Sequence, residues 1–242
     1  MSGAPGRVLL EAPTVRLVVE ERDGGPVVRK TYRFPRASQR WKGALRHTWL
    51  GRPKGEREAA NLLRLAEGGA PALRPLEWGS RRDRLGFVLE SWLVLPYLEG
   101  WVGLDRFLRP SSPPIEGWNS LHDLWREVGH AVSRIHDLGC LYRDLRPRNL
   151  LVGPGELAWI DASKSRFRSG PLGAEERAED LLGFWLPVPA DRREGFPAFW
   201  KGYGGDPVLG DLAGLERQLS AGGRRRLRRV VRRERERAER AL

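Results

Sequence analysis

Leu141-Tyr142-Arg143-Asp144-Leu145-Arg146-Pro147-Arg148-Asn149-Leu150-Leu151-Val152 sets an aspartate and an asparagine five residues apart and follows them with an apolar run. Residues 150–152 and 157–160 read as two short strands, with Gly153-Pro154-Gly155-Glu156 as the turn cluster that joins them. An antiparallel hairpin brings its open ends together. Here those ends carry Asn149 and Asp161, the second closing Trp159-Ile160-Asp161. Two hard oxygen donors would then meet where one Mg²⁺ could sit with phosphate oxygens. An Asx turn at Asn149 and a solvent-facing Asp161 would explain the same letters, but that leaves Asp144 as a separate coincidence.

Working toward the N-terminus, residues 14–21 and 27–34 form a hairpin about Asp23-Gly24-Gly25. Its second arm puts Val28, Lys30, Tyr32 and Phe34 on one face by period two. A lysine on the apolar side of a strand needs an anionic partner or ligand; at a sheet margin its ammonium could instead reach water. Residues 55–66 read as a helix with Ala59, Leu62, Leu63 and Ala66 as its buried stripe. Glu58 is better placed than Glu56 to meet Lys30; if neither does, both are acids that stabilise a helix N-terminus. Phe87 to Leu98 reads as a pair of strands running into the linker Pro96-Tyr97-Leu98-Glu99-Gly100. From 116 to 138 a helix is expected, because Leu121, Trp125, Val128, Val132 and Ile135 recur at helical spacing and Gly139 stops it. His136, near its end, reads as a packing or dipole contact.

The 242 residues suffice for a two-lobed domain, and a single cysteine, Cys140, excludes an internal disulfide framework. Residues 1–13 show no basic-then-apolar signal pattern, and no run approaches ~18 apolar residues, so a cytoplasmic location is expected. The net charge of +12 is concentrated in 224–242, which holds ten arginines against Glu234, Glu236 and Glu239. There they interleave with Leu227, Val230, Val231, Ala238 and Ala241, giving a narrow apolar seam on a cationic helix. Such a helix suits an anionic membrane surface, each nearby cation contributing about 1 kcal/mol. Nucleic acid is the competing partner, although no RNA-binding module is present, and simple solvation is the third reading. Trp41, Leu45 and Trp49, with Arg40, Lys42 and Arg46 beside them, form an aromatic stripe that either packs on the small lobe or meets a membrane surface.

With these residues in place, the chain resembles the bacterial lipopolysaccharide kinase family, protein-kinase-like enzymes that phosphorylate Kdo or heptose sugars of the lipopolysaccharide core. The resemblance spans about residues 14–190. It rests on Val28-Arg29-Lys30, Glu56-Arg57-Glu58-Ala59 with Gly69-Ala70-Pro71, Glu90-Ser91-Trp92-Leu93-Val94, Ile135-His136 through Asn149, and Ile160-Asp161. It implies an α+β, protein-kinase-like bilobal fold, with a β-rich N-lobe over 1–96, a mainly helical C-lobe over 97–223, and the arginine-rich tail 224–242.

The implied cofactors are ATP and Mg²⁺, and the implied acceptor is a lipopolysaccharide core hydroxyl at the inner membrane face. By the resemblance Asp144 orients and deprotonates that hydroxyl, Arg146 sets a cation on the γ-phosphate, and Asn149 and Asp161 hold the metal. Lys30 holds the nucleotide phosphates and is braced by Glu58, while Asp180 is the helix aspartate that ties down the loop. Three positions depart from the usual pattern: Asp23-Gly24-Gly25-Pro26 stands in place of a Gly-rich loop, Tyr142 replaces the loop histidine, and the metal-binding triplet reads Asp161-Ala162-Ser163. Lys164, Arg166 and Arg168 would suit an anionic acceptor, or form a solvated loop. Two other classes fit the same residues: a protein kinase or kinase subunit of a tRNA-modification complex, and a non-catalytic nucleotide-binding pseudokinase scaffold.

Overall fold

The computed structural model describes residues 6–34, 52–109, 116–205, 212–225, 227–229 and 232. The aromatic stripe expected at 40–49, and Val230, Val231, Ala238 and Ala241 of the tail, lie outside the described residues. The chain divides into two compact units, one of Met1–Glu67 with Ala72–Glu99 and one of Gly68–Pro71 with Gly100–Leu242.

Among its described residues the first unit is a five-stranded antiparallel sheet with one helix. Its strands are β1 (Arg7–Ala12), β2 (Val15–Arg22), β3 (Gly25–Arg33), β4 (Glu77–Arg82) and β5 (Val88–Pro96), in spatial order β1-β2-β3-β5-β4. The β2–β3 hairpin closes with Arg22 opposite Gly25, where φ is +103°, a conformation that glycine adopts without strain. Two expectations change here. Phe87 to Leu98 holds a single strand, β5, and its outer neighbour is β4, whose sequence Glu-Trp-Gly-Ser-Arg-Arg is too polar to read as sheet. β1 was not anticipated either, because its residues are exposed on both faces and it lies at the edge, where no alternation is required.

Helix α1 (Lys54–Glu67) buries Gly55, Glu58, Ala59, Leu62 and Leu65. The stripe therefore runs through Glu58 and Leu65, leaving Leu63 and Ala66 half-buried. The Gly55 N–H donates to Ser91 Oγ on β5 at 3.1 Å, which fixes the start of the helix against the sheet.

The second unit is mainly helical. It contains β6 (Val102–Gly103), α2 (Leu104–Phe107), α3 (Leu121–Asp137), β7 (Cys140–Leu141), β8 (Leu150–Gly153), β9 (Glu156–Trp159), β10 (Arg166–Phe167), α4 (Ala174–Trp185), α5 (Phe196–Tyr203) and α6 (Leu212–Arg217). Ser120 caps α3 by accepting from the Asp123 N–H at 3.1 Å, and Leu124, Trp125, Val128, Val132 and Ile135 are fully buried along its face. Aromatic rings make the core continuous. Trp125 stacks on Trp185 at 4.7 Å, Trp185 meets Phe199 edge-on at 5.1 Å, Phe184 contacts Trp159 at 6.3 Å, and Trp159 lies 5.4 Å from Tyr142. That chain of rings carries packing from α5 to the 141–149 loop, so the loop rests on a continuous aromatic core. Among the described residues no helix is long and apolar enough to cross a membrane.

Candidate active site

In the first unit the side chain of Lys30 on β3 meets Glu58 on α1. Lys30 Nζ donates to Glu58 Oε1 at 2.9 Å, and the Tyr32 hydroxyl donates to Oε2. Glu58 is fully buried while Lys30 keeps 12% of its side chain exposed. Burying a carboxylate is costly unless it is paired and hydrogen-bonded, and here a cation and a hydroxyl supply both requirements. Lys30 and Tyr32 share a strand face, as period two requires, and Glu58 falls on the buried face of α1, one residue ahead of the stripe expected there. Glu56 is engaged elsewhere, accepting from Ser80 Oγ at 2.7 Å.

In the second unit the 141–149 loop is held from two sides. Asp180, buried on α4, accepts from the N–H of Tyr142 at 2.6 Å and from that of Arg143 at 2.9 Å. Between them they hold Arg143 at φ +65°, a left-handed conformation uncommon for a residue other than glycine. Tyr142, where the usual loop carries histidine, donates its hydroxyl to the Ile160 carbonyl at 2.6 Å and so ties the loop to the residue before Asp161. His136 backs the arrangement. It is fully buried, with Nδ1 2.7 Å from the Tyr203 hydroxyl and Nε2 3.7 Å from Asp180 Oδ2, which makes it a packing residue of this network.

The β8–β9 hairpin brings Asn149 and Asp161 to its open end. Leu150 pairs with Trp159, and the Ile160 N–H donates to the Asn149 carbonyl at 2.9 Å, extending the ladder one step toward Asp161. Asn149 Nδ2 donates to the Asp144 carbonyl at 2.8 Å, which commits the amide nitrogen inward and leaves the amide oxygen as its remaining acceptor. Asp161 sits at φ +60° and its Oδ1 accepts from Ser163 Oγ at 2.9 Å. An amide oxygen and a carboxylate are a hard donor pair, and among the described residues no group of three His, Cys, Asp or Glu forms a metal cage. This fits Mg²⁺, which takes one or two protein oxygens and completes its shell with phosphate and water; it does not fit a zinc centre.

Three cations surround the Asp144 carboxylate. Lys164 Nζ lies 2.7 Å from Oδ2, Arg148 Nη2 3.5 Å from Oδ1, and Arg146 Nε 3.7 Å from Oδ1. The expectation for Arg146 needs correction. Its side chain is only 4% exposed, and Nη1 donates to the carbonyls of Gly183 and Leu145, so it braces the loop against α4 and does not project toward a phosphate. At Gly183 a Cβ would stand 2.6 Å from Nη1, so any larger residue there would make the guanidinium shift. Sequence reasoning missed the contacts that Lys164 and Arg148 make with Asp144. A usable signal did exist for the first, since lysine is scarce in this chain and Lys164 follows Asp161 by three residues.

The fold and this loop define a protein-kinase-like chain. More narrowly, it belongs to the lipopolysaccharide kinase (Kdo/WaaP) family, which matches residues 4–184. It is similar to the 3-deoxy-D-manno-octulosonic acid kinases of Photobacterium profundum, 31% identical over 114 residues (47% of this chain, 44% of the relative), and of Haemophilus influenzae strain PittEE, 26% over 113 residues (45% and 44%). It is also similar to the EKC/KEOPS complex subunit bud32 of Aspergillus clavatus, 27% over 139 residues (52% and 47%). The chain thus spans under half the length of the curated relatives it matches. Its fold is that of WaaP, solved in complex with acyl carrier protein, with a TM-score of 0.57 and 23% identity over 93% of this chain and 88% of that one.

Proposed function

We propose that this chain is a Mg²⁺-dependent kinase that transfers the γ-phosphate of ATP to a hydroxyl of a lipopolysaccharide core sugar, Kdo or heptose. One observation carries the reading: Asp144 and Asn149 are locked to each other through the Asn149 Nδ2 bond, with Asp161 at the end of the same hairpin. In this reading Asp144 receives the hydroxyl proton, Asn149 and Asp161 hold the metal, and Lys30, braced by Glu58, binds phosphate. The metal would supply charge neutralisation on the phosphate oxygens.

Family membership supports the sugar acceptor, and the missing Gly-rich loop leaves the charged groups of the two clusters untouched. A second reading is a subunit of an EKC/KEOPS-type complex, since the match to the Aspergillus clavatus bud32 extends over 139 residues, against 113 and 114 for the sugar kinases quoted above. ATP turnover with Mg²⁺, measured for the parent and Asp161→Ala proteins with and without deep-rough lipopolysaccharide, separates the two. Turnover is expected to depend on lipopolysaccharide, to stop on chelation of Mg²⁺, and to fall at least ~10²-fold in the variant. Turnover indifferent to lipopolysaccharide would overturn the sugar acceptor, and turnover in full without Mg²⁺ would overturn the metal assignment.

The tail is assigned to the anionic inner-membrane surface that presents such an acceptor. Leu227 lies beside Arg143, Leu145 and Gly183, while Arg225, Arg228, Arg229 and Arg232 are exposed. Replacing these four arginines by glutamine should weaken binding to phosphatidylglycerol vesicles by at least ~10-fold at low salt, and by less as salt is raised. Binding to those vesicles at the parent strength would remove the assignment.

A further inference from the structure

We propose that Lys164 is the cation that meets the transferred phosphoryl group, and that in the resting protein it covers the carboxylate oxygen which must take the acceptor's proton. The inference rests on the kinase reading above and concerns the same loop. Arg146, the residue at the position where a phosphate-binding cation is expected, is committed to carbonyl oxygens beneath the loop. Lys164 has the opposite disposition. More than half of its side chain is exposed, at 55%, and Nζ makes a 2.7 Å hydrogen bond to Asp144 Oδ2.

The backbone that carries it is fixed. Ala162–Lys164 form a single 3-10 turn immediately after Asp161. On either side of the lysine stands a buried serine, Ser163 bonded to Asp161 Oδ1 at 2.9 Å and Ser165 to the Tyr142 carbonyl at 3.4 Å. The turn that carries a metal-binding carboxylate therefore also carries an ammonium on a long, flexible stem, anchored at its base and open at its tip.

The contact has a consequence for the reaction. In the transfer the acceptor hydroxyl oxygen forms a bond to the γ-phosphorus, the bond from that phosphorus to the β–γ bridging oxygen breaks with its electron pair leaving on ADP, and the hydroxyl proton passes to Asp144. While the ammonium is paired with Oδ2 it takes one of that oxygen's acceptor sites and offsets the carboxylate's charge, which makes Asp144 a weaker acceptor for the hydroxyl proton. A terminal phosphate draws the ammonium onto itself, so arrival of the triphosphate uncovers the base and supplies the cation in one movement. Charge developing on the phosphoryl oxygens is then met by Lys164, where a single such contact is worth about 10²-fold in rate.

Lys164→Met and Lys164→Arg in the full chain test this, with binding of MgATP and MgADP measured by calorimetry beside steady-state kinetics on deep-rough lipopolysaccharide. Because the side chain is mostly exposed, both variants are expected to keep the parent's melting temperature. Lys164→Met should lower kcat by about 10²-fold, leave the acceptor KM within about threefold, and lose the parent's preference for MgATP over MgADP. Lys164→Arg should regain part of both. An unchanged nucleotide preference with kcat intact would overturn the proposal, as would a rise in acceptor KM alone, which would place Lys164 on an anionic group of the acceptor. A parent protein that binds neither nucleotide would instead overturn the kinase reading, and this inference with it.

Discussion

Asp144→Asn is expected to reduce phosphoryl transfer by at least ~10²-fold while leaving the protein folded and its affinity for MgATP undiminished. The first part follows from chemistry. A positioned carboxylate that takes a proton in the transition state contributes roughly 10²- to 10⁴-fold, and an amide oxygen has no useful basicity. The second follows from how the loop is held. Asn149 bonds to the backbone carbonyl of residue 144, not to its side chain, and Asp180 grips the N–H groups of Tyr142 and Arg143, so the substitution leaves both anchors in place. The affinity statement follows from charge. Removing the carboxylate leaves Lys164, Arg148 and Arg146 with less neutralisation, and a more positive surround holds a triphosphate at least as well. A fall in kcat with nucleotide binding equal to or tighter than the parent's is therefore the signature, read by single-turnover kinetics and calorimetry. A rate within tenfold of the parent would remove Asp144 from the chemistry.

What could be read in the sequence was what local spacing encodes. The 150–159 hairpin was legible because a turn cluster separates two short apolar runs, and helix α3 because its apolar residues recur at helical spacing up to a glycine stop, although the helix starts at Leu121 behind the Ser120 cap and not at 116. For Lys30 the period-two face of β3 was enough, whereas Glu58 was chosen as its partner although it stood one residue ahead of the stripe read for α1, which in the structure runs through it. The edges were harder. β1 and β4 lie at the two margins of the sheet and carry polar or exposed residues, so burial leaves no alternating pattern in them. Around Asp144 the difficulty was distance along the chain. The inward turn of Arg146 brings it to the Gly183 carbonyl, 37 residues away, and Lys164 reaches Asp144 beside the pairing of β7 with β10, two strands of two residues each. No periodicity can be read from a two-residue strand, so the cation nearest the carboxylate could be noticed in the sequence but not placed.

Asp180→Ala is expected to lower both stability and turnover, the second by at least ~10²-fold even where the variant is fully folded. Asp180 is 3% exposed and its two oxygens serve two backbone donors. Truncation leaves the N–H of Tyr142, a fully buried residue, and that of Arg143 without this acceptor, at about 1–3 kcal/mol for each donor that stays unsatisfied. It also removes what holds Arg143 in the left-handed region, a conformation that itself costs on the order of 1–3 kcal/mol and persists only under constraint. Relaxation of Arg143 to negative φ swings the chain at the next residue, which is Asp144, and a displacement of about 1 Å at a reacting group can cost 10²-fold in rate. Asp180→Asn should be nearly as damaging. An amide offers one oxygen to one N–H and turns its own donor toward the other, so it cannot reproduce a pair of accepted bonds. Urea unfolding midpoints and turnover measured on the same samples, below the transition of each variant, separate the two effects. If Asp180→Asn retained the parent's midpoint and turnover, the loop would have to be held by something other than these two hydrogen bonds, and the strain at Arg143 would need no external restraint.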